Sequence, residues 1–216
     1  MKVSRKQSGF TLIEIAIVLV IIGLLLGGVL KGQELINSAK VKNFAQDFKQ
    51  VPLFIYGYQD KYKRLPGDDN GAVVRFPTIT TVNGTGDGSI AGNFNSVTLT
   101  DESVRFWQHV RAAGLAAGST DFSSLANAGL PTNADGGRIG IQMVTPITTL
   151  TGSYFVCSEG IQGKFAKQLD TTLDDGNTAT GSLQVMPQGY TGTVVASGTA
   201  TTGVTDGTTY TVCVSF

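Results

Sequence analysis

The chain has 216 residues, and its 16 lysines and arginines balance 16 aspartates and glutamates, so no global basic field argues for nucleic acid as a partner. Charged residues make up only 15 % of the chain, whereas 28 residues are glycine. Beyond residue 76, Thr, Gly, Ser and Asn dominate, a composition of strands and long turns on an exported surface rather than of a helical cytosolic enzyme; the length fits one large domain, or one domain with an anchor.

Residues 1–9 carry Lys2, Arg5 and Lys6 and no acid, and the largely apolar run from Phe10 to Leu30 carries a single charge, Glu14. About 20 residues of helix cross a bilayer core, and the basic N-terminus should stay cytoplasmic while the rest of the chain crosses. A cleaved secretory signal is the competing explanation. It fits poorly, because the apolar run is longer than the usual core of such signals, lacks an A-x-A-like site after it and contains an acid. A carboxylate at membrane depth costs at least ~2.5 kcal/mol on insertion scales, so Glu14 needs a reason to be there.

A basic leader, Gly9, then Phe10-Thr11-Leu12-Ile13-Glu14 ahead of a spanning helix closely resembles the N-terminus of type IV pilins and type II secretion pseudopilins. The likeness extends over roughly residues 4–35. It implies cleavage between Gly9 and Phe10 by a prepilin peptidase, N-methylation of the new Phe10 amine, and a filament whose core is built from these helices. Physical logic agrees with it. Cleavage removes three basic side chains and exposes an α-amine, and Glu14 is the acid one turn away. The Phe10 amine of a staggered neighbouring subunit could meet the same carboxylate, so that an acid penalised in hydrocarbon would reward correct stagger.

Along the spanning helix, Gly23, Gly27 and Gly28 each cost up to ~1 kcal/mol of helix propensity and mark a credible kink or melting point. They would also let helices approach closely. Past Lys31 the pattern turns amphipathic: Val41, Phe44, Phe48, Val51, Ile55, Tyr58 and Tyr62 recur at alternating steps of three and four. That stripe must pack on the chain's own globular part or on other subunits, with the former favoured. Pro52, within it, should bend the helix, and Arg64-Leu65-Pro66-Gly67-Asp68-Asp69 should end it in a Pro-Gly turn.

The resulting layout is a leader at 1–9, a transmembrane and filament-core helix at 10–30, an amphipathic stem at 31–63 and a globular head at 64–216. Within the head, residues 77–100 read as a long polar loop. Thr100 is the expected N-cap of a helix with Asp101 and Glu102 in its first turn, Val104, Trp107 and Val110 on its core face, and Gly114 as its stop. His109, the single histidine, lies in that helix without a clear nucleophile partner and is expected to be structural. Strands are expected at Arg138–Val144, Ser153–Cys157, Gly181–Met186, Thr193–Ala196 and Thr208–Val214, with Tyr154, Val156, Tyr210, Val212 and Val214 alternating at period two. The fold class is therefore α+β, a long N-terminal apolar helix packed on an antiparallel β-sheet head.

The two cysteines, Cys157 and Cys213, read as one disulfide if the head is exported, two unrelated buried thiols being the alternative. The bridge would close a loop of about 55 residues, worth ~4 kcal/mol in the chain-entropy model. A C-terminal disulfide-bounded region resembles many type IV pilins more than the major pseudopilins, although this loop is long for the comparison.

Three acidic turns, Asp68-Asp69-Asn70-Gly71, Asp87-Gly88 and Asp174-Asp175-Gly176-Asn177, lack EF-hand spacing and read as ordinary Asx-Gly turns, so no metal or other cofactor is expected; the resemblance leaves calcium as the alternative, since some pseudopilins bind it in a head-domain loop. Lys61, Lys63, Arg64 and Arg75 read as a solvated rim. No nucleotide-binding loop, hydrolase elbow or zinc cluster is present in the sequence, and no catalytic residues are expected. The leading expectation is a non-enzymatic structural subunit of a type IV pilus-like filament. Its partners would be other pilin-like subunits, in a homo- or hetero-polymer, the prepilin peptidase and N-methyltransferase, and an inner-membrane assembly platform. It would wait as a single-pass inner-membrane protein with a periplasmic head. The alternatives are a type II secretion pseudopilin or minor pilin and, outside the family, a membrane-anchored periplasmic enzyme or binding protein.

Overall fold

A computed structural model of the protein describes residues 11–79 and 81–216. The chain divides into two compact units, the first ending at Ala39 and the second running Lys40–Phe216.

The first unit is the beginning of helix α1 (Leu12–Tyr62). Its most apolar 18-residue window has a mean hydropathy of 2.8 and none of it is buried, which makes the helix long and apolar enough to cross a membrane. The helix runs unbroken through Gly23, Gly27 and Gly28, so the expected melting point is not present in the single chain. The cost of each glycine is small beside the propensity of the Leu- and Ile-rich turns around it.

In the second unit, Val41, Phe44, Phe48, Val51, Ile55 and Tyr58 are all buried, so this stripe packs on the chain's own head. Tyr62, the last of the series, is only half-buried and stacks edge-on against Tyr58 and Phe76. Pro52 is accommodated inside the helix. The helix stops at Lys63, which takes a left-handed φ of 55°, the conformation that commonly terminates helices.

A short helix α2 (Ala72–Arg75) follows, then irregular chain to α3 (Glu102–Ala112). The N-cap of α3 is Asp101 rather than Thr100: Asp101 contributes the backbone carbonyl that receives Val104 and Arg105, while its carboxylate is taken by the Ser96 hydroxyl. Gly114 ends the segment with a φ of 74°, which an L side chain would adopt only under strain.

The sheet consists of β1 (Ile139–Gln142), β2 (Phe155–Gln162), β3 (Leu183–Pro187) and β4 (Thr209–Ser215), with a short helix α4 (Leu125–Ala128) before β1 and a helix α5 (Gly163–Leu173) between β2 and β3. Its order is β1-β2-β4-β3 with every neighbouring pair antiparallel. One extra residue in β2 between Ser158 and Ile161 bulges its pairing with β4. Period-two alternation sends Val156, Ile161, Val185, Val212 and Val214 into a core shared with α1, α3 and α5. Phe155, Cys157, Met186 and Cys213 go to the opposite face, where Phe94, Ile147, Leu150 and Tyr190 from loops cover them.

One expected strand does not form. The expected strand Thr193–Ala196 forms only an isolated parallel bridge from Val195 to Ile147; with Gly189, Gly192 and Gly198 around it, the segment has no extended partner to zip against. Helix α5, by contrast, forms where the sequence carried no expectation. Its Phe165, Ala166, Leu169 and Leu173 form an i, i+3/i+4 stripe on the core, but glycines and polar residues on either side disguise it as a turn.

Candidate functional site

Leader residue Gly9 and the processed position Phe10 lie outside the described residues. Thr11 and Glu14 open α1. The Glu14 carboxylate accepts hydrogen bonds from the Thr11 backbone N–H (2.8 Å) and hydroxyl (2.7 Å), while the Thr11 hydroxyl oxygen receives the Glu14 N–H at 3.3 Å. This reciprocal arrangement is a capping box, and the T-x-x-E spacing that announces it is present in the sequence, although the charge of Glu14 alone drew attention there. Glu14 is exposed. After it, Ile15, Ile17, Val18, Leu19 and their successors to Ile36 are exposed as well, on every side of the helix. A helix apolar all round requires apolar surroundings all round, which lipid or a bundle of like helices supplies.

In the head, Cys157 and Cys213 face each other in the β2–β4 register and are joined, with an S–S distance of 2.09 Å. The bridge therefore ties the last strand to the centre of the sheet.

The acid that closes the α1 exit is Asp69. Its carboxylate accepts the Tyr58 hydroxyl (2.7 Å), the Gly71 N–H (2.8 Å) and a two-point contact from Arg75 (2.9 and 3.1 Å). Burial works against its charge, yet the bonds from Arg75, Tyr58 and Gly71 hold its pKa below the usual carboxylate value. Arg75 also lies over the Tyr62 ring at 4.8 Å, so it is not the rim residue the sequence suggested. His109 is fully buried, and burial depresses its pKa. Its Nδ1 accepts the Gly67 N–H and its Nε2 donates to the Val82 carbonyl, both at 2.9 Å. With both ring nitrogens taken by backbone, it pins the turn after α1 to α3.

Among the described residues, two acidic groups come together in space. Asp68, Asp87 and Glu102 form the first, and it is already satisfied. Asp68 accepts the Thr85 hydroxyl and the N–H groups of Gly86, Asp87 and Gly88, and Glu102 accepts Thr85 and the Ala91 N–H. These carboxylates staple the 77–100 loop to the head. Asp170, Asp174 and Asp175 form the second. Asp170 lies in the last turns of α5, fully buried, and among the described residues neither of its carboxylate oxygens has a partner at full hydrogen-bond geometry. Burial first, then the charges of Asp175 and Asp174, push its pKa up to about 6, offset only in part by the nearby Gly176 N–H. Nothing in the sequence singled out Asp170.

No curated protein matches the chain. Residues 4–30 match the family model of the prokaryotic N-terminal methylation motif, the signal of type IV pilins and pseudopilins, and together with the exposed apolar helix they run into they support a membrane-anchored, pilin-like or pseudopilin structural subunit.

Proposed function

We propose that the chain is a structural subunit of a type IV pilus-like filament. A prepilin peptidase cuts between Gly9 and Phe10, the Phe10 amine is N-methylated, and the subunit assembles through α1. The observation that carries this proposal is the methylation motif at residues 4–30, which runs into a helix whose apolar side chains from Leu12 to Ile36 are exposed. Before assembly the chain sits in the inner membrane as a single span, N-terminus cytoplasmic and head periplasmic, as the basic leader directs. An assembly platform in that membrane then transfers it to a periplasmic or extracellular filament with other pilin-like subunits.

Glu14 serves two states in this account. In the single subunit its carboxylate closes the helix start through Thr11. In the filament it meets the Phe10 amine of a neighbour, exchanging a neutral donor for a charge-assisted one. Mass spectrometry of the mature protein tests the processing step. An N-terminal peptide beginning at N-methylated Phe10 is the expected result, and an intact Met1 in the membrane-resident, assembled material overturns it.

A further inference from the structure

We propose that the cleft beside Asp47 is a socket for Lys42 of a neighbouring subunit, a second charge contact between copies of this chain along α1. The inference deepens the filament reading above and rests on it.

The starting point is an acid without a partner. Asp47 is half-buried between α1 and α3, in a cleft of about 200 Å³ walled by Phe54, Trp107 and Pro131. Among the described residues it forms no ion pair. The cation in the wall, Arg111, is spent on the carbonyls of Ser119, Ala128 and Gly129. Desolvation raises the Asp47 pKa to about 6, as happens to a carboxylate that has lost water without gaining a counter-charge.

Size and charge define the occupant. Pockets for cofactors and other small ligands run to roughly 300–1,000 Å³; this cleft is smaller and suits a single side chain. Its carboxylate calls for a cation. Phe54 and Trp107 meet edge-on with ring centroids 6.4 Å apart, and such walls cover the methylene stem of a lysine while its ammonium reaches the acid.

Lys42 meets both requirements and adds a direction. It is exposed and, among the described residues, forms no ion pair. Five residues from Asp47 on the same helix, it lies about 140° away around the axis, so the two do not face each other within one chain. Neither belongs to the buried stripe of α1. An open helical filament is built from heterologous contacts, with donor and acceptor on different faces of each subunit, and this pair supplies one.

The stagger agrees. Pairing the Phe10 amine of one subunit with Glu14 of the next shifts neighbours by four residues, about 6 Å of helix. With α1 running along the filament, position 43 of the neighbour then stands level with Asp47, and Lys42 is one residue away, ~1.5 Å of rise. Lys40 is committed to Asp135, and Lys49 lies beyond Asp47, on the wrong side for this shift.

The test uses filaments sheared from cells that produce the full chain. A carbodiimide condenses an amine and a carboxylate in contact into an amide, taking up the water as a urea. It is applied to parent filaments and to subunits dispersed in detergent, and digests are read by mass spectrometry. A peptide linked through Lys42 and Asp47 is expected from filaments and not from dispersed subunits. In parallel, Asp47→Lys and Lys42→Asp should each lower filament yield at least about ten-fold, as an interfacial charge left without its partner does. The double exchange should recover most of that loss. Lys42→Asp should leave the melting temperature of the dispersed subunit unchanged, because the side chain is exposed; if Asp47→Lys does not fold, Lys42→Asp and the cross-link decide. A link found equally in dispersed subunits, a link from Asp47 to another lysine, or parental yield from Lys42→Asp overturns the socket. A parent chain that makes no filaments removes the filament reading and the socket together. Filaments with N-methylated Phe10 but no Lys42–Asp47 link remove the socket alone.

Discussion

Apolar residues on α1 meet opposite fates in the two units. Leu24 and Leu25 are 73 % and 64 % exposed, whereas Phe44 and Phe48 are each 1 % exposed. The difference is one of pattern more than of hydrophobicity. Between Ile15 and Leu30 apolar side chains surround the helix, so no single neighbour could cover them. From Val41 to Tyr58 they form one stripe, and the head covers it. The early stretch is stable only in an apolar medium or against copies of itself, while the later one is part of an ordinary protein core. Substitutions in the first stretch should therefore act on assembly and those in the second on folding.

The largest effect is expected at Glu14. Glu14→Ala should abolish filaments while leaving the melting temperature of the head unchanged, as electron microscopy and thermal unfolding would record. Glu14→Gln separates the two roles, since glutamine also serves in a capping box but carries no charge. Loss of filaments with Gln is expected; normal filaments would mean that the Thr11 cap suffices and that pairing with an amine is not what holds the stagger.

Next in size is the folding side of the comparison. Phe48→Ala should destabilise the head by about 3–5 kcal/mol, the usual range for truncating a buried phenylalanine. Leu24→Ala should change the unfolding of the isolated subunit by less than about 0.5 kcal/mol. Denaturant unfolding in detergent measures both. Equal effects would remove the distinction between the two stretches.

What the sequence revealed follows the same division. The signal at Gly9, Phe10 and Glu14 and the 41–58 stripe are local patterns with fixed spacing, and the period-two runs around Cys157 and Cys213 predicted strands that the sheet contains. Residues whose roles depend on long-range contact were not legible. Arg75 looked like one of several rim cations until Asp69 and Tyr62 came to it in space. Nothing in the sequence marks Asp170, because only the fold makes it buried and brings Asp174 and Asp175 beside it. Val195 failed as a strand for the converse reason: its composition was right and its neighbours were absent.

The smallest expected effect is at Asp47, where α1 departs from its own stripe. Asp47 is half-buried in a cleft with Phe54, Trp107 and Arg111, and among the described residues it has no hydrogen-bond partner. The Arg111 guanidinium is engaged elsewhere, donating to the carbonyls of Ser119, Ala128 and Gly129. Desolvation alone therefore raises the Asp47 pKa from 3.8 to about 6. Between those two values the folded state binds more protons than the unfolded one, so the contribution of Asp47 to stability falls as pH rises through this window. The full penalty applies above about pH 6 and none remains below about pH 4. Asp47→Asn should remove that slope, stabilising the protein by about 1 kcal/mol or less above pH 6, since a side chain this exposed is partly screened by solvent. The two proteins should converge at low pH. Denaturant unfolding of parent and variant across pH 4–7 measures the difference, in which other titrating groups such as Asp170 cancel. A constant offset at every pH would mean that the side chain acts through packing and not through its charge.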